Sequence, residues 1–187
     1  METNSHISCL EEQLKEYYGR VVWTHKTHEK QADIYTLYNN SLKWCQIIIT
    51  ALVTSGTIAT IIRSETIVAI LTGFLSAIHL IITTLTKNKD FGQIAQLHAL
   101  TAIQIWDIRE RLLSLLIDCK DSRVSVDEAR IKRDKIHNQL LMVYEKAPRT
   151  SARAYKMATK GLKDSQEMFF TNEEIDDLLP SVLKSKQ

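Results

Sequence analysis

Polar side chains that could line an aqueous path recur within the two most apolar stretches of the sequence. Residues 66–86 carry one histidine and four hydroxyl residues at spacings of four and three, which place them on one face of a helix. Residues 42–62 carry a second polar row at similar spacings. Ionisable groups within a bilayer usually face a water-filled cavity, so the two rows predict a pore lining. The candidate pore-lining residues are Gln46, Thr50, Thr54, Thr72, Ser76, His79, Thr83 and Thr86, and Thr57 continues the first row.

A second interpretation of these rows needs no pore. Hydroxyl groups in membrane helices commonly bond to their own backbone, and a histidine can pair with a neighbouring helix. Beside the histidine lies a row of small residues, Ala69, Gly73 and Ala77, which permits close helix approach. Two helices cannot enclose a pore, so the pore interpretation requires a homo-oligomer, with a tetramer as the working number.

A row of cations near the C-terminus is the other candidate for binding chemistry. Residues 120–163 hold twelve Lys or Arg and five Asp or Glu, a net charge of +7. Five of the cations follow spacings of 4, 3, 4 and 3, and guanidinium and ammonium groups in such a row attract phosphates. The row could therefore receive a polyanionic ligand such as an oligonucleotide, cyclic or linear. The candidate ligand-binding residues are Arg149, Arg153, Lys156, Lys160, Lys163, Arg130 and Arg133.

Two other interpretations of the cationic row remain open. It could be a solvated face that pairs with the acidic residues near the C-terminus, since charge runs are usually structural or solvating. It could also lie against anionic lipid at the cytoplasmic leaflet. The acidic residues concerned are Glu173, Glu174, Asp176 and Asp177.

The sequence contains no recognisable catalytic or metal-binding constellation. There is no G-x-S-x-G, no H-E-x-x-H and no phosphate-cradling glycine loop, so we expect neither catalytic residues, nor an enzyme, nor a cofactor. His25 and His28 lie three residues apart beside Glu29, but no further ligand set has recognisable spacing. No metal site is predicted.

The polar rows require two membrane-spanning helices to hold them. Residues 42–62 and 66–86 each contain 21 residues, enough for a helix of roughly 31 Å, which matches the hydrocarbon core of a bilayer. Only three residues separate them, so the helices must form an antiparallel hairpin. A buried helical pair in a water-soluble bundle is the alternative.

The charges flanking the hairpin predict its orientation. Arg63 and Glu65 balance each other in the short loop, whereas lysines gather on the long flanks. The positive-inside rule then places both termini in the cytoplasm. The flanking lysines are Lys26, Lys30, Lys43, Lys87 and Lys89.

Helical patterns fill the rest of the chain, in which 5 Gly and 2 Pro among 187 residues argue against an all-β fold. The pattern of residues 10–40 predicts one long helix. The residues expected to face the helical bundle are Leu14, Val21, His25, His28, Ala32 and Tyr35, which form its predicted seam. Residues 91–119 predict an amphipathic helix, with Ile94, Leu97, Leu100 or Thr101, Ile105, Ile108, Leu112, Leu115 and Leu116 on its apolar face.

Three further helices are expected towards the C-terminus. The first has Ser125 as its N-cap and an apolar side of Ile131, Leu140 or Leu141, and Tyr144. Another begins near Thr150 or Ser151, after the break at Pro148, and a short capped helix ends before Pro180.

The expected fold is thus all-α: a two-transmembrane hairpin with long cytoplasmic helices that form a bundle, in a homo-oligomer. We divide the single domain into a cytoplasmic N-terminal helix (1–41), a hairpin (42–86) and a cytoplasmic C-terminal region (87–187).

The order of several stretches resembles the SLATT family of two-transmembrane effector domains from bacterial nucleotide-controlled defence systems. The resemblance extends from Leu10 to Pro180, through the hairpin and the stretches "YYGRVVWTHKTHEKQADIY", "LHALTAIQIWDIRERLLSLLID", "RDKIHNQLLMVYEKAPRTSARAYKMA" and "EEIDDLLP". It implies an antiphage effector encoded beside a nucleotidyltransferase, whose nucleotide product gates a membrane pore. Opening would depolarise the membrane and arrest or kill the infected cell. The alternative is a membrane-tethered scaffold that recruits a partner and conducts nothing.

Overall fold

The computed structural model describes the backbone of residues 2–63 and 65–184, and the side chains of residues 10–62, 65–180 and 182–184. The described chain is all-α, as the sequence predicts, and contains no strand. Its helices are α1 (Glu2–Arg63), α2 (Thr66–Asn88), α3 (Phe91–Lys120), α4 (Val126–Lys146), α5 (Ala152–Lys163) and α6 (Asn172–Leu178), followed by a single 3₁₀ turn at Ser181–Leu183.

Helix α1 unites the predicted N-terminal helix and the first apolar stretch in one element. Its 62 residues extend for about 93 Å, and no proline interrupts them. Glu65, in extended backbone conformation, precedes α2. Helix α2 returns antiparallel beside α1, which gives the predicted hairpin arrangement. Because α1 is unbroken, one rigid rod connects the hairpin to the N-terminal half of the bundle.

Helix α3 begins after a two-residue break and continues antiparallel to the N-terminal half of α1. The Asp90 carboxylate accepts a hydrogen bond of 2.9 Å from the backbone N–H of Gln93, which caps the new helix. Side chains of α1 and α3 interdigitate as an extended seam, and Leu14, Val21, Ile105 and Leu112 are fully buried there. This seam is the main hydrophobic core.

The predicted seam of α1 is largely confirmed, and that of α3 in part. Leu14, Val21, His25 and His28 are all buried. On α3, Leu97 and Leu100 are instead exposed, and the adjacent His98 and Thr101 are buried in their place. Apolar spacing alone cannot distinguish the two registers, because α3 carries apolar residues on more than one face.

Helix α4 packs against α1 and α3 through a smaller face than the sequence indicates. Ser125 caps it as predicted, accepting from the backbone N–H of Glu128 at 3.2 Å. The expected contribution of Ile131 is wrong, because that side chain is 70% exposed. Ala129, Ile136 and Leu140 form the buried face. Alanine was overlooked as a core residue, although its small side chain allows close helix approach.

Helix α5 lies across α1 and is held by small residues. Ser151 caps it through the N–H of Ala154 at 3.2 Å. Ala154 and Ala158 are fully buried, so the two helices approach closely there. The capping box of α6 joins Thr171 and Glu174 reciprocally, which fixes that short helix as the sequence predicts.

Candidate functional site

Polar groups of the two apolar helices meet along the line where the hairpin closes. The Gln46 side-chain amide donates a hydrogen bond of 2.9 Å to the Thr86 hydroxyl. Near the middle of the hairpin, the Thr50 hydroxyl lies 3.4 Å from His79 Nε2. These contacts set the register of α1 against α2 and supply partners to groups that would otherwise be exposed to hydrocarbon.

The polar row predicted on α2 separates into two sets with a spacing of seven. Thr72, His79 and Thr86 are half-buried against α1, whereas Ser76 and Thr83 are exposed. On α1, Gln46 is half-buried and the hydroxyl residues are exposed. The structure therefore brings part of the predicted lining together inside one hairpin.

The exposed hydroxyl residues share one side of the hairpin. Thr50 contacts His79 on one flank of the hairpin, and helical spacing places the other exposed hydroxyl residues of α1 on that flank as well. The same spacing places Ser76 and Thr83 of α2 on that flank. The half-buried His79 lies beside this surface, between α1 and α2. We call it the hydroxyl face; its members are Thr50, Thr54, Thr57, Ser76 and Thr83.

Most of these hydroxyl groups also donate to their own helix. Thr50 donates to the Gln46 carbonyl at 2.8 Å, Thr54 to the Thr50 carbonyl at 2.9 Å, and Ser76 to the Thr72 carbonyl at 2.8 Å. Such bonds lower the cost of placing a hydroxyl in a bilayer. They leave oxygen lone pairs available, so the hydroxyl face can accept hydrogen bonds from water.

The rest of the hairpin surface is apolar and uncovered. The helical segments Leu10–Ile62 and Thr66–Lys120 each contain an 18-residue window that is long and apolar enough to cross a membrane, with no residue of either window buried. Ile62, Ile67, Phe74 and Leu80 are all more than two-thirds exposed. An exposed apolar surface of this size is stable in lipid rather than in water.

The cationic row lies on the outer side of α5. Arg153, Lys156, Lys160 and Lys163 follow the helix, and all four are exposed. Arg149 lies just before the helix, which begins at Ala152. The set defined by Arg149, Arg153, Lys156, Lys160 and Lys163 is called the cationic stripe below.

The cationic stripe has no acidic partners within the part of the chain that the structure describes. No carboxylate there forms an ion pair with any of its five members. Arg153 donates to the Tyr38 hydroxyl at 3.1 Å, and the Lys163 ammonium lies 5.5 Å from the Trp23 ring centre. Both contacts position the cations without neutralising them, so the stripe retains its charge for a ligand.

The other two predicted ligand residues lie elsewhere. Arg133 donates to Gln13 at 2.8 Å and pairs with Asp134 at 2.7 Å, while Arg130 lies 4.0 Å from Asp127. Gln13 is 25 residues before Tyr38 on α1, which corresponds to roughly 37 Å along the helix. The structure therefore does not bring Arg130 and Arg133 into the cationic stripe.

Sequence reasoning missed a histidine pair in the core. His28 Nδ1 and His98 Nδ1 lie 3.0 Å apart, and the Tyr35 ring stacks on His98 at 5.6 Å. Burial, reinforced by the nearby His98 and His25, lowers the pKa of His28 to about 4. Burial also lowers the pKa of His98. The described residues contain no group of three or more metal-ligating side chains.

A second missed interaction anchors the chain after α5. The Glu167 carboxylate forms ion pairs with the ammonium groups of Lys26, at 2.8 Å, and Lys30, at 2.9 Å. Hydrogen bonds from these two lysines lower the pKa of the Glu167 carboxyl. Two of the lysines that the sequence assigns to the positive flank are thus partly neutralised. No local pattern could have revealed the pair, because Lys30 and Glu167 are 137 residues apart.

The all-α fold and the two exposed apolar helices fit a helical membrane protein of the two-transmembrane hairpin type. The chain belongs to the SMODS and SLOG-associating 2TM effector domain family 4 (SLATT_4), which it matches over residues 10–174. Neither a curated protein nor a solved structure matches it. Membership confirms the resemblance found in the sequence and indicates a membrane effector of a family described as associating with SMODS and SLOG.

Proposed function

We propose that this chain is the pore-forming effector of an antiphage defence system and works as a homo-oligomer in the bacterial inner membrane. A tetramer is the working number. Residues 1–41 and 87–187 form the cytoplasmic part, residues 42–86 cross the membrane twice, and both termini face the cytoplasm. Opening of the pore depolarises the membrane and arrests or kills the infected cell.

The hydroxyl face is the observation that carries this proposal. Five hydroxyl residues share one flank of an otherwise apolar hairpin, with His79 beside them. Turning this flank towards a common axis would let water accept and donate hydrogen bonds there, while the remaining surface contacts lipid. The half-buried Gln46, Thr72 and Thr86 would support the lining from behind.

A nucleotide or oligonucleotide from a partner nucleotidyltransferase is the proposed gating ligand, and the cationic stripe is its proposed site. Four exposed cations along α5 attract phosphates over distance, and Arg153 offers a planar fork to a phosphate. Helix α5 rests on α1, which is continuous with the hairpin. Binding at the stripe can therefore bias the orientation of α1 and thus the pore. Arg130 and Arg133 are a separate, secondary candidate contact.

Conductance in planar lipid bilayers tests the pore directly. We expect His79→Leu and Thr83→Val to lower single-channel conductance at least severalfold, because each removes a polar group from the hydroxyl side. Thr84→Val is the matched control, since this adjacent threonine bonds the Leu80 carbonyl at 2.8 Å on the opposite face of α2. Wild-type protein that never conducts, with or without oligonucleotide, would favour the non-conducting scaffold. Equal effects at Thr83 and Thr84 would remove the hydroxyl face from the pore.

A further inference from the structure

The segment after Glu167 is poorly covered by its own chain. Helix α6 buries none of its residues. Phe169, Phe170, Leu178 and Val182 are between 64% and 88% exposed. Residues 168–184, called the C-terminal arm below, thus combine a preformed short helix with large apolar side chains open to water. An uncovered segment of this kind indicates a docking partner.

The cationic stripe offers a surface with the matching chemistry. A shallow depression of about 440 Å³ lies on the outer side of α5, with apolar Met157 and Ala152 at its floor. Arg153, Lys156 and Lys160 surround it. The arm presents the complementary arrangement, in which Ile175 and Leu178 alternate with acidic residues on α6.

The first residue of the arm and the stripe lie on different sides of α1. Met168, at the root of the arm, accepts a weak hydrogen bond from Arg109 at 3.9 Å beside the groove between α1 and α3. That groove is lined by His25 of α1, whereas α5 contacts α1 through Trp23, whose ring lies 6.2 Å from that of Tyr155. Positions two apart on a helix point roughly 200° from each other.

The two surfaces do not meet within one chain. Glu167 pairs with Lys26 and Lys30 and so fixes the chain where it passes around α1. Among the described residues, no ion pair joins Glu173, Glu174 or Asp177 to the cationic stripe. Complementary surfaces that are not paired within one subunit suit a head-to-tail interface between copies.

We propose that the C-terminal arm docks on the cationic stripe of a neighbouring copy of this chain. The acids of α6 pair with the cations of α5, and Ile175 or Leu178 enters the depression at Met157. Because this interface is heterologous, repeating it closes a ring when the rotation between neighbouring copies divides a full turn evenly, as the proposed homo-oligomer requires.

The arm then competes with any phosphate ligand for the same cations. An oligonucleotide that binds the stripe must displace α6 of the adjacent subunit. Ligand binding would therefore break the proposed contact between neighbouring subunits. The inference rests on the proposed homo-oligomer and adds its intersubunit contact and its competitor for the ligand.

Cross-linking between differently tagged copies tests the proposal. In a background with Cys9→Ser, Cys45→Ser and Cys119→Ala, one copy carries Glu173→Cys and the other Lys160→Cys. After co-expression and treatment with a short bis-maleimide, we expect covalent dimers that carry both tags. Glu145→Cys in place of Glu173→Cys is the matched control, because Glu145 is an exposed acid on α4, and it should give no mixed dimer.

Charge exchange separates electrostatic docking from chance proximity. Glu174→Lys with Asp177→Lys should lower the yield of mixed dimer several-fold, and adding Arg153→Glu with Lys156→Glu in the other copy should restore it. An oligothymidylate of about 12 nucleotides should lower the yield as well. An unchanged yield after charge reversal overturns the proposed docking, and an unchanged yield with oligothymidylate overturns the proposed competition between the arm and a phosphate ligand.

Native mass spectrometry of the same samples distinguishes a failure of the proposed arm docking from a failure of the proposed homo-oligomer. An oligomer that gives no mixed dimers overturns the arm exchange and leaves the pore proposal standing. A monomer overturns the proposed assembly itself.

Discussion

Two histidine positions illustrate how differently a bilayer and a protein core use the same side chain. His79 lies at the closure line of the hairpin beside Thr50, next to an exposed polar flank. His28 and His98 are buried against each other with their Nδ1 atoms 3.0 Å apart. One ring must donate and the other accept at that distance, and burial lowers the pKa of both rings, so the pair is neutral at pH 7. A proton added to the accepting nitrogen would disrupt the contact between α1 and α3.

The histidine pair predicts an acid-dependent loss of stability. The pKa of His28 falls from 6.5 to about 4 on folding, so the unfolded chain binds the proton first as the pH falls. The stabilisation is therefore complete above pH 6.5 and is lost progressively between pH 6.5 and about 4. Thermal unfolding of detergent-solubilised protein across this range, followed by circular dichroism, measures it.

Substitution isolates this contribution from other titrating groups. His28→Gln and His98→Gln should each flatten the loss of thermal stability between pH 6.5 and about 4. The carboxyl of Glu167 has a lowered pKa, so its stabilisation is lost only below its ordinary value of 4.5 and belongs to a lower window. His25 also has a pKa lowered by burial and remains in both variants. A slope unchanged by either substitution would contradict the neutral pair.

At the scale of elements, the hairpin is closed by a small residue as well as by polar contacts. A Cβ atom added at Gly56 would overlap the Thr72 hydroxyl and would lie 3.4 Å from Thr72 Cβ. Gly73 on α2 has open space around it within the subunit. The absence of a side chain at Gly56 thus lets α1 and α2 approach.

This close approach predicts that Gly56→Ala destabilises the protein and that a second substitution at Thr72 restores the stability. Gly56→Ala should lower the free energy of unfolding by about 1–3 kcal/mol relative to Gly73→Ala, since both gain the same helix propensity and only the first is overpacked. Unfolding in mixed detergent micelles, followed by circular dichroism, measures the difference. Adding Thr72→Ala should restore most of the loss, because the remaining contact is an ordinary one. Equal stability of the two alanine variants would show that α1 and α2 separate more easily than the structure indicates.

At the scale of the whole molecule, the continuous helix α1 connects the hairpin to the rest of the helical bundle. Helix α1 contacts α2, α3, α4 and α5 along its length. A tilt imposed on it by α5 or by a neighbouring subunit reaches the hairpin without crossing a flexible joint. We therefore expect coupling between ligand and pore to depend on rigid-body movement of α1.

The proposed topology predicts opposite accessibility at the two ends of the hairpin. In the cysteine-free background, Glu65→Cys should react with a membrane-impermeant maleimide in intact spheroplasts, because the short loop faces outward. Lys89→Cys, equally exposed in the structure, should react only after permeabilisation. Mass tagging on gels reads out both positions. Reaction of both in intact spheroplasts, or the reverse pattern, would reject cytoplasmic termini.

Local patterns were sufficient to predict the helices and the hairpin. Two 21-residue apolar stretches joined by three residues have few alternative folds, and Ser125 caps a helix through contacts only three residues away. The polar rows and the cationic row were also visible, since helical spacing determines which residues share a face. Which polar residues turn inward was not visible, because helical spacing predicts one row where α2 has two.

The sequence by itself determined the all-α fold, the apolar lengths and the distribution of charge, because each depends on residues within a few turns of one another. Only the tertiary structure decided the partners: His98 for His28 across 70 positions, Glu167 for Lys30 across 137, and an exposed position for Ile131. Those choices depend on which helix faces are brought together, and several faces of this chain are apolar enough to compete. The physical reason is that helix formation is governed by neighbours in the chain, whereas burial is governed by neighbours in space.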